Sequence, residues 1–201
     1  RPTEIVKKLG VGSFGVVFLM ANGNVVKKMD ITTDDRHQVF EREVRNLKIM
    51  SGHPNVMQML TAQTEGDVGL LQISYAPGMR VDSWVDAHPD DSARRRLWRN
   101  FTETLLRTIH DCHQLGVHHL DLHPGNVMVD PERRALTVID FGLSCNLKAG
   151  SCPDTPGMTA HYTPYFSPDD LVDPAKLRRI DLTVMNASKL RRHLARLSFC
   201  R

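Results

Sequence analysis

The chain has 201 residues, 41% of them hydrophobic and 24% charged, so it can build a real core and lacks the bias of disordered or repetitive chains. At about one domain per 100–200 residues, that length allows one large domain or two small lobes. Lys plus Arg exceed Asp plus Glu by 26 − 23 = 3, a mild basic balance that predicts no nucleic-acid partner.

The longest apolar run, residues 16–21, is six residues long. A bilayer span needs ~20, so no membrane partner is predicted. Cys112, Cys145, Cys152 and Cys200 contain no C-x-x-C pair. They are expected to be free thiols in a reducing, intracellular compartment, with a Cys145–Cys152 loop bridge as the alternative.

Apolar alternation predicts strands over residues 4–9 and 16–20, separated by Gly10-Val11-Gly12-Ser13-Phe14-Gly15. Asn22-Gly23 then turns the chain into a third strand, residues 25–29. Over residues 34–50, Val39, Phe40, Val44, Leu47 and Met50 fall on one helical face, with Asp34 and Asp35 placed to cap its start. Ser51-Gly52-His53-Pro54-Asn55 breaks that helix, and strands are expected at 56–60 and 68–74. Five strands and one helix make a first lobe, residues 1–75.

Tyr75-Ala76-Pro77-Gly78 is rich in turn residues, and beyond it Leu97, Phe101, Leu105, Ile109 and Cys112 recur at helical spacing. A loop over 118–126 leads to a small hairpin, 127–129 with 136–139. The second lobe, residues 76–201, is therefore expected to be mainly helical.

A lone G-x-G-x-x-G is weak evidence. In a dinucleotide fold it would open a helix, whereas here a strand continues through Val16-Val17-Phe18-Leu19. A glycine flap between strands can lay backbone over phosphates, because no side chain blocks the approach. A lysine follows on the third strand. A two-residue turn at Asn22-Gly23 would put Val17 on the face of Lys28, and a three-residue loop would put it with Val25 and Lys27. Apolar alternation favours Lys27, because Val25 and Met29 then share its inward face. Next come Glu43 in the helix, His119-Leu120-Asp121-Leu122-His123-Pro124-Gly125-Asn126, and Asp140-Phe141-Gly142.

In this order, and on these element types, the motifs resemble the eukaryotic-type protein kinase family, of serine/threonine kind, from Leu9 to about Asp181. The resemblance implies an α+β, bilobal fold with a five-stranded antiparallel sheet and one helix in the first lobe. It implies ATP and Mg2+ as cofactors and transfer of the γ-phosphate to Ser/Thr hydroxyls of protein substrates. By matching position, the loop Gly10, Val11, Gly12, Ser13, Phe14 and Gly15 would cover the phosphates. Lys27 would hold the α/β-phosphates and pair with Glu43, Asp121 would be the catalytic base, and Asn126 and Asp140 would hold the metal. Backbone groups over Ser74 to Ala76 would bond the adenine, with Ile73 at the gatekeeper place and Val17, Val25 and Met128 around the ring.

The sequence also departs from the family. Leu120 stands where many members carry arginine, and His123 replaces a lysine whose help to the γ-phosphate it would give only weakly at pH 7. His119 reads as a core histidine, its usual place in the family. The stretch from Asp121 to Asn126 also resembles aminoglycoside- and choline-type small-molecule kinases, which is the alternative activity. A catalytically inactive kinase-like binding module is the third reading. The full glycine loop, His53-Pro54-Asn55, Asp140-Phe141-Gly142 and Tyr165-Phe166-Ser167-Pro168-Asp169 favour the protein kinase, and Pro124 favours Ser/Thr acceptors. Asp181 fits the aspartate that braces the catalytic loop. Thr155, Thr159, Tyr162 and Thr163 are candidate modification sites.

The start at Arg1 and an end just past the expected central helix read as a fragment of a longer kinase. An abbreviated chain without the loop arginine also suits a viral member acting in the cytoplasm or nucleus of its host. Leu120 offers no charge to a phosphorylated activation segment. Phosphatase treatment is therefore expected to leave the transfer rate largely unchanged, and a large loss in a timed phosphorylation assay would contradict this.

Overall fold

The computed structural model describes residues 4–12, 14–87, 92–122, 124–146 and 148–149. These divide into two compact units. The first takes the chain up to His53, then Met57–Ala76 and Phe141–Leu143. The second takes the described residues among Pro54–Val56, Pro77–Asp140 and those from Ser144 to Ala149.

In the first unit β1 (Ile5–Gly12), β2 (Gly15–Met20), β3 (Val25–Asp30), β4 (Met59–Glu65) and β5 (Val68–Ile73) form one sheet in the order β1-β2-β3-β5-β4. All neighbours are antiparallel. Helix α1 (Asp34–Ile49) follows β3. Alternation decides which face of β3 is interior: Val25, Lys27 and Met29 are 4%, 6% and 1% exposed, while Lys28 and Asp30 face outward. On α1 the buried stripe is Val39, Phe40, Glu43, Asn46 and Leu47. Phe40 reaches β5 at Gly69, where a Cβ would strike the Phe40 ring.

Two details differ from the sequence reading. The N-cap of α1 is Thr33, whose side chain accepts from the Arg36 N–H at 3.4 Å, while Asp34 and Asp35 sit in the first turn and favour the helix dipole. The strand expected at 56–60 starts only at Met59 and runs through the polar Thr61-Ala62-Gln63-Thr64-Glu65. Val56 and Met57 are apolar because they are buried, at 2% and 3% exposed. β4 is an exposed edge strand that needs only backbone partners on β5, so its sequence carries no apolar pattern.

In the second unit β6 (Met79–Arg80), β8 (Val127–Asp130) and β9 (Ala135–Val138) form a three-stranded sheet, and β7 (Val117–His118) pairs with β10 (Cys145–Asn146). The helices are α2 (Val81–Ala87) and α3 (Ser92–Gln114), and Pro124–Asn126 forms a single 3-10 turn. Strands of two residues show no periodicity, which is why β6, β7 and β10 leave no trace in the sequence. The β8–β9 turn closes on the Asp130 carboxylate, which accepts from the Glu132 and Arg133 N–H groups at 3.1 and 3.2 Å and from the Arg133 guanidinium at 3.0 Å. These bonds, the Arg133 N–H above all, hold its pKa below the usual carboxylate value.

Residues 54–56 join this sheet from outside. Asn55 accepts from the Val138 N–H at 2.8 Å and donates from Nδ2 to the Leu136 carbonyl at 3.0 Å, and Val56 makes a parallel bridge with Val138. Trp84 of α2 and Trp98 and Phe101 of α3 cluster with ring centroids 5.9–6.4 Å apart. No helix among the described residues is long and apolar enough to cross a membrane.

The thiols do not all match expectation. Cys112 is free and buried, and burial, followed by the Asp111 charge, pushes it up to about 12. Cys145, expected to be free, is disulfide-bonded, with its partner outside the described residues. A bridge depends on where the backbone brings two thiols, which cysteine count and spacing do not report.

His113, near the end of α3, stacks on His118 of β7 with ring centroids 4.2 Å apart. Burial, then the electrostatic influence of His118 and His110, lowers His113 to about 4. Its folded pKa lies below its unfolded value, so the unfolded chain binds more protons between those two pH values, and stability falls as pH drops through that window. His113→Phe keeps the stack and removes the proton. Between pH 7 and pH 5 the variant is expected to lose about 1–2 kcal/mol less stability than the parent in urea titrations; equal losses would contradict the assignment.

Candidate active site

In the first unit the glycine run forms the β1–β2 hairpin, with Gly10 opposite Val17, Val11 opposite Val16 and Gly12 opposite Gly15. The three glycines are not equivalent. At Gly15 a Cβ would collide with the Lys28 carbonyl, so packing requires glycine there. At Gly10 and Gly12 a Cβ would meet nothing within 4 Å. The fold itself does not need glycine at those two positions, which leaves room for another molecule to approach the backbone. Phe14 follows at the turn, and Ser13 lies outside the described residues.

The choice between Lys27 and Lys28 turns on the β2–β3 loop. Met20 N–H donates to the Asn24 carbonyl at 2.8 Å and Gly23 N–H to the Met20 carbonyl at 2.9 Å. That leaves three loop residues, with Gly23 at φ 81°. The register follows: Val17 faces Lys27 and Leu19 faces Val25, so Val17, Val25 and Lys27 share one side of the sheet. Lys28 is exposed on the other side.

Lys27 Nζ donates to both carboxylate oxygens of Glu43, at 3.0 and 2.9 Å. Glu43 is 0% exposed. A carboxylate this deep in an apolar stripe is costly unless it is paired and hydrogen-bonded, and the lysine meets both conditions.

Beyond β5, Ser74 donates its N–H to the Gln58 carbonyl at 2.8 Å, and its hydroxyl accepts from the Gln58 N–H at 3.2 Å. Of the three residues expected to bond a base, Ser74 therefore has its N–H committed, and Tyr75 and Ala76 come next in the chain.

In the second unit the loop before β8 is laced to the end of β9. Asn126, 6% exposed, donates from Nδ2 to the Asp121 carbonyl at 2.8 Å and to Asp121 Oδ2 at 3.2 Å. His119, 4% exposed, accepts from the Asp121 N–H at Nδ1 over 3.2 Å. Nδ1 is therefore unprotonated, and Nε2–H donates to the Ile139 carbonyl at 2.9 Å. The Ile139 N–H in turn donates to the Asn126 carbonyl at 3.0 Å.

Asp140 follows Ile139 directly, so this one residue ties Asp121, Asn126 and Asp140 together through its backbone. Leu120 and Asp140 both have φ 62°, strained for side-chain-bearing residues. His123 lies outside the described residues, as do Tyr165 to Asp169 and Asp181. Met128 is on β8, opposite Thr137 and Arg80. The part played by Ile139 had no sequence signal, because it acts through backbone alone. His119 had one, its place two residues before Asp121.

The sequence profile of the protein kinase domain matches residues 3–179. The chain belongs to the protein kinase family. It is accordingly a phosphotransferase domain, and the substrates of such domains are proteins. The family uses ATP and Mg2+. The donors here suit that metal: Asp140 offers a carboxylate and Asn126 an amide oxygen, both hard. Among the described residues no three His, Cys, Asp or Glu side chains gather as a metal cluster.

Removing one member of a buried ion pair strands the other, at a cost of about 3–5 kcal/mol. Lys27→Met is expected to lose that much in chemical denaturation, and Lys27→Met with Glu43→Leu to recover most of it while remaining inactive. Parent-like stability of Lys27→Met would contradict the pairing.

Proposed function

We propose that this kinase domain transfers the γ-phosphate of ATP to serine and threonine hydroxyls of proteins, using Mg2+. The observation that carries the reading is the two-point bond from Lys27 to Glu43. Protein kinases need that pair in place for transfer, and an inactive binding module has no requirement for it.

Lys27, oriented by Glu43, would bond the α/β-phosphates. The backbone of Gly10 and Gly12 would lie over the phosphate chain, where neither position is filled. Val17 and Val25 on the same side of the sheet, with Met128, would pack on the adenine, and Ala76 with the Ser74 carbonyl would bond its edge. Asp140 and the Asn126 side-chain oxygen would hold Mg2+. When bound, the ion neutralises phosphate charge that builds as the bond to the leaving group breaks.

Asp121 would accept the proton of the attacking hydroxyl. The hydroxyl oxygen bonds to the γ-phosphorus, the bond from that phosphorus to the β-phosphate oxygen breaks, and ADP leaves. Asn126 bonds the Asp121 carboxylate and His119 holds the Asp121 backbone N–H, so positioning and electrostatics would supply most of the acceleration. Pro124 supports serine and threonine over tyrosine as acceptors.

Asp121→Asn keeps the hydrogen-bonding shape and removes the base. It is expected to lower phosphorylation of a basic protein substrate by about 10²–10⁴-fold, with ATP affinity by calorimetry within about threefold of the parent. Unchanged turnover would sink Asp121 as the base.

A further inference from the structure

Four exposed arginines each hold a carboxylate: Arg36 with Asp30, Arg80 with Asp82, Arg107 with Glu103 and Arg133 with Asp130. Arg45 and Arg134 are exposed with no ion-pair partner among the described residues, each standing alone; Arg96 and Arg99 are likewise exposed and unpaired, and they stand together on α3. They belong to the run Arg94-Arg95-Arg96-Leu97-Trp98-Arg99 at the start of α3. That first turn holds no acidic residue, whereas α1 opens with Asp34 and Asp35 and α2 with Asp82. The partial positive charge of a helix start is confined to its first turn, so Arg96 and Arg99, the fifth and eighth residues of α3, gain nothing from the helix dipole. Neither ion pairing nor the dipole gives folding a reason to keep them.

Packing fixes where they point. Trp98 and Phe101, 5% and 2% exposed, are seated against Trp84, which sets the rotation of α3 and leaves positions 96 and 99 outside. Three residues apart, the two guanidinium groups leave one face of the helix with about 5–6 Å between their Cβ atoms. On an extended peptide, alternate side chains leave one face about 6.6 Å apart. Two alternate carboxylates therefore match two guanidinium groups, each able to take a bidentate bond.

We propose that this arginine face of α3 docks an acidic segment of the protein substrate, at a surface separate from the residues that act on the hydroxyl. The proposal rests on the reading of the chain as a kinase of proteins. A nucleic-acid strand is the poorer fit, because the excess charge is only +3 and the aromatic residue within the run, Trp98, is buried rather than offered for stacking.

The test uses the whole chain and Arg96→Glu/Arg99→Glu. Both positions are exposed and unpaired, and glutamate is a good helix former, so the variant is expected to melt close to the parent. The probe is a fluorescein-labelled peptide of alternating glutamate and glycine, followed by anisotropy. The parent is expected to bind it, about tenfold more weakly in the variant, and more weakly in the parent as salt rises.

In the second arm a serine peptide is phosphorylated with and without the acidic stretch appended. The variant should raise KM about tenfold for the extended peptide with kcat unchanged, and leave both constants unchanged for the short one. A lysine-bearing extension should restore KM with the variant. Equal binding and equal KM in parent and variant would overturn the proposal. So would a DNA duplex that the parent binds more tightly than the peptide and the variant does not. Peptide binding needs no catalysis, so a parent that transfers phosphate to neither peptide would instead fail the kinase reading.

Discussion

A lysine and a glutamate inside an apolar interior are each expensive, and the first unit is organised around letting them meet. Lys27 can point inward only in the register set by the three-residue loop after Met20. Glu43 can reach it only if α1 lies close over the sheet. That closeness is bought by an absent side chain, at Gly69 beneath the Phe40 ring. The pair adds little net stability compared with a well-packed apolar one. What it adds is an ammonium group fixed in direction, which a phosphate-binding role requires.

The second unit reaches a comparable result without an ion pair. Its fixed point is the backbone of Ile139, which bonds the His119 ring on one side and the Asn126 carbonyl on the other. Asn126 then spends its side-chain N–H on Asp121, and Asp140 is the next residue along the chain. The strained backbone at Leu120 and Asp140 persists because these bonds over-determine it. The His119 ring and the Asn126 amide are thereby set by hydrogen bonds to the main chain, which leaves loop side chains free to differ from the family pattern, as Leu120 does.

Much of this was legible in the sequence, for physical reasons that also explain the failures. Strands β2, β3 and β5 and helix α1 bury one face, so alternation or helical spacing marks them. Glu43 could be picked out by its place in the motif order, in the helix before His53-Pro54-Asn55, while its burial has no signal of its own. The edge strand β4 buries almost nothing and was displaced in the reading, and strands of two residues have no period to read. The cap at Thr33 competes with two neighbouring aspartates equally suited to the place. Lys27 against Lys28 depended on loop length, which Asn22-Gly23 leaves open until the hydrogen bonds are seen. The bonded state of Cys145 depends on distance between backbones and has no local signal.

Phosphoryl transfer asks for a fixed cation, a phosphate cover, a metal and an aligned base, and each unit supplies part of that set from residues held by their own fold. Where the phosphate goes decides the chemistry of the domain. The direct measurement is single-turnover transfer from γ-labelled ATP with Mg2+ to a protein substrate, followed by acid hydrolysis and separation of the phosphoamino acids. Label in phosphoserine and phosphothreonine is the predicted result. Label released only as inorganic phosphate, or found only on a small alcohol, would contradict it.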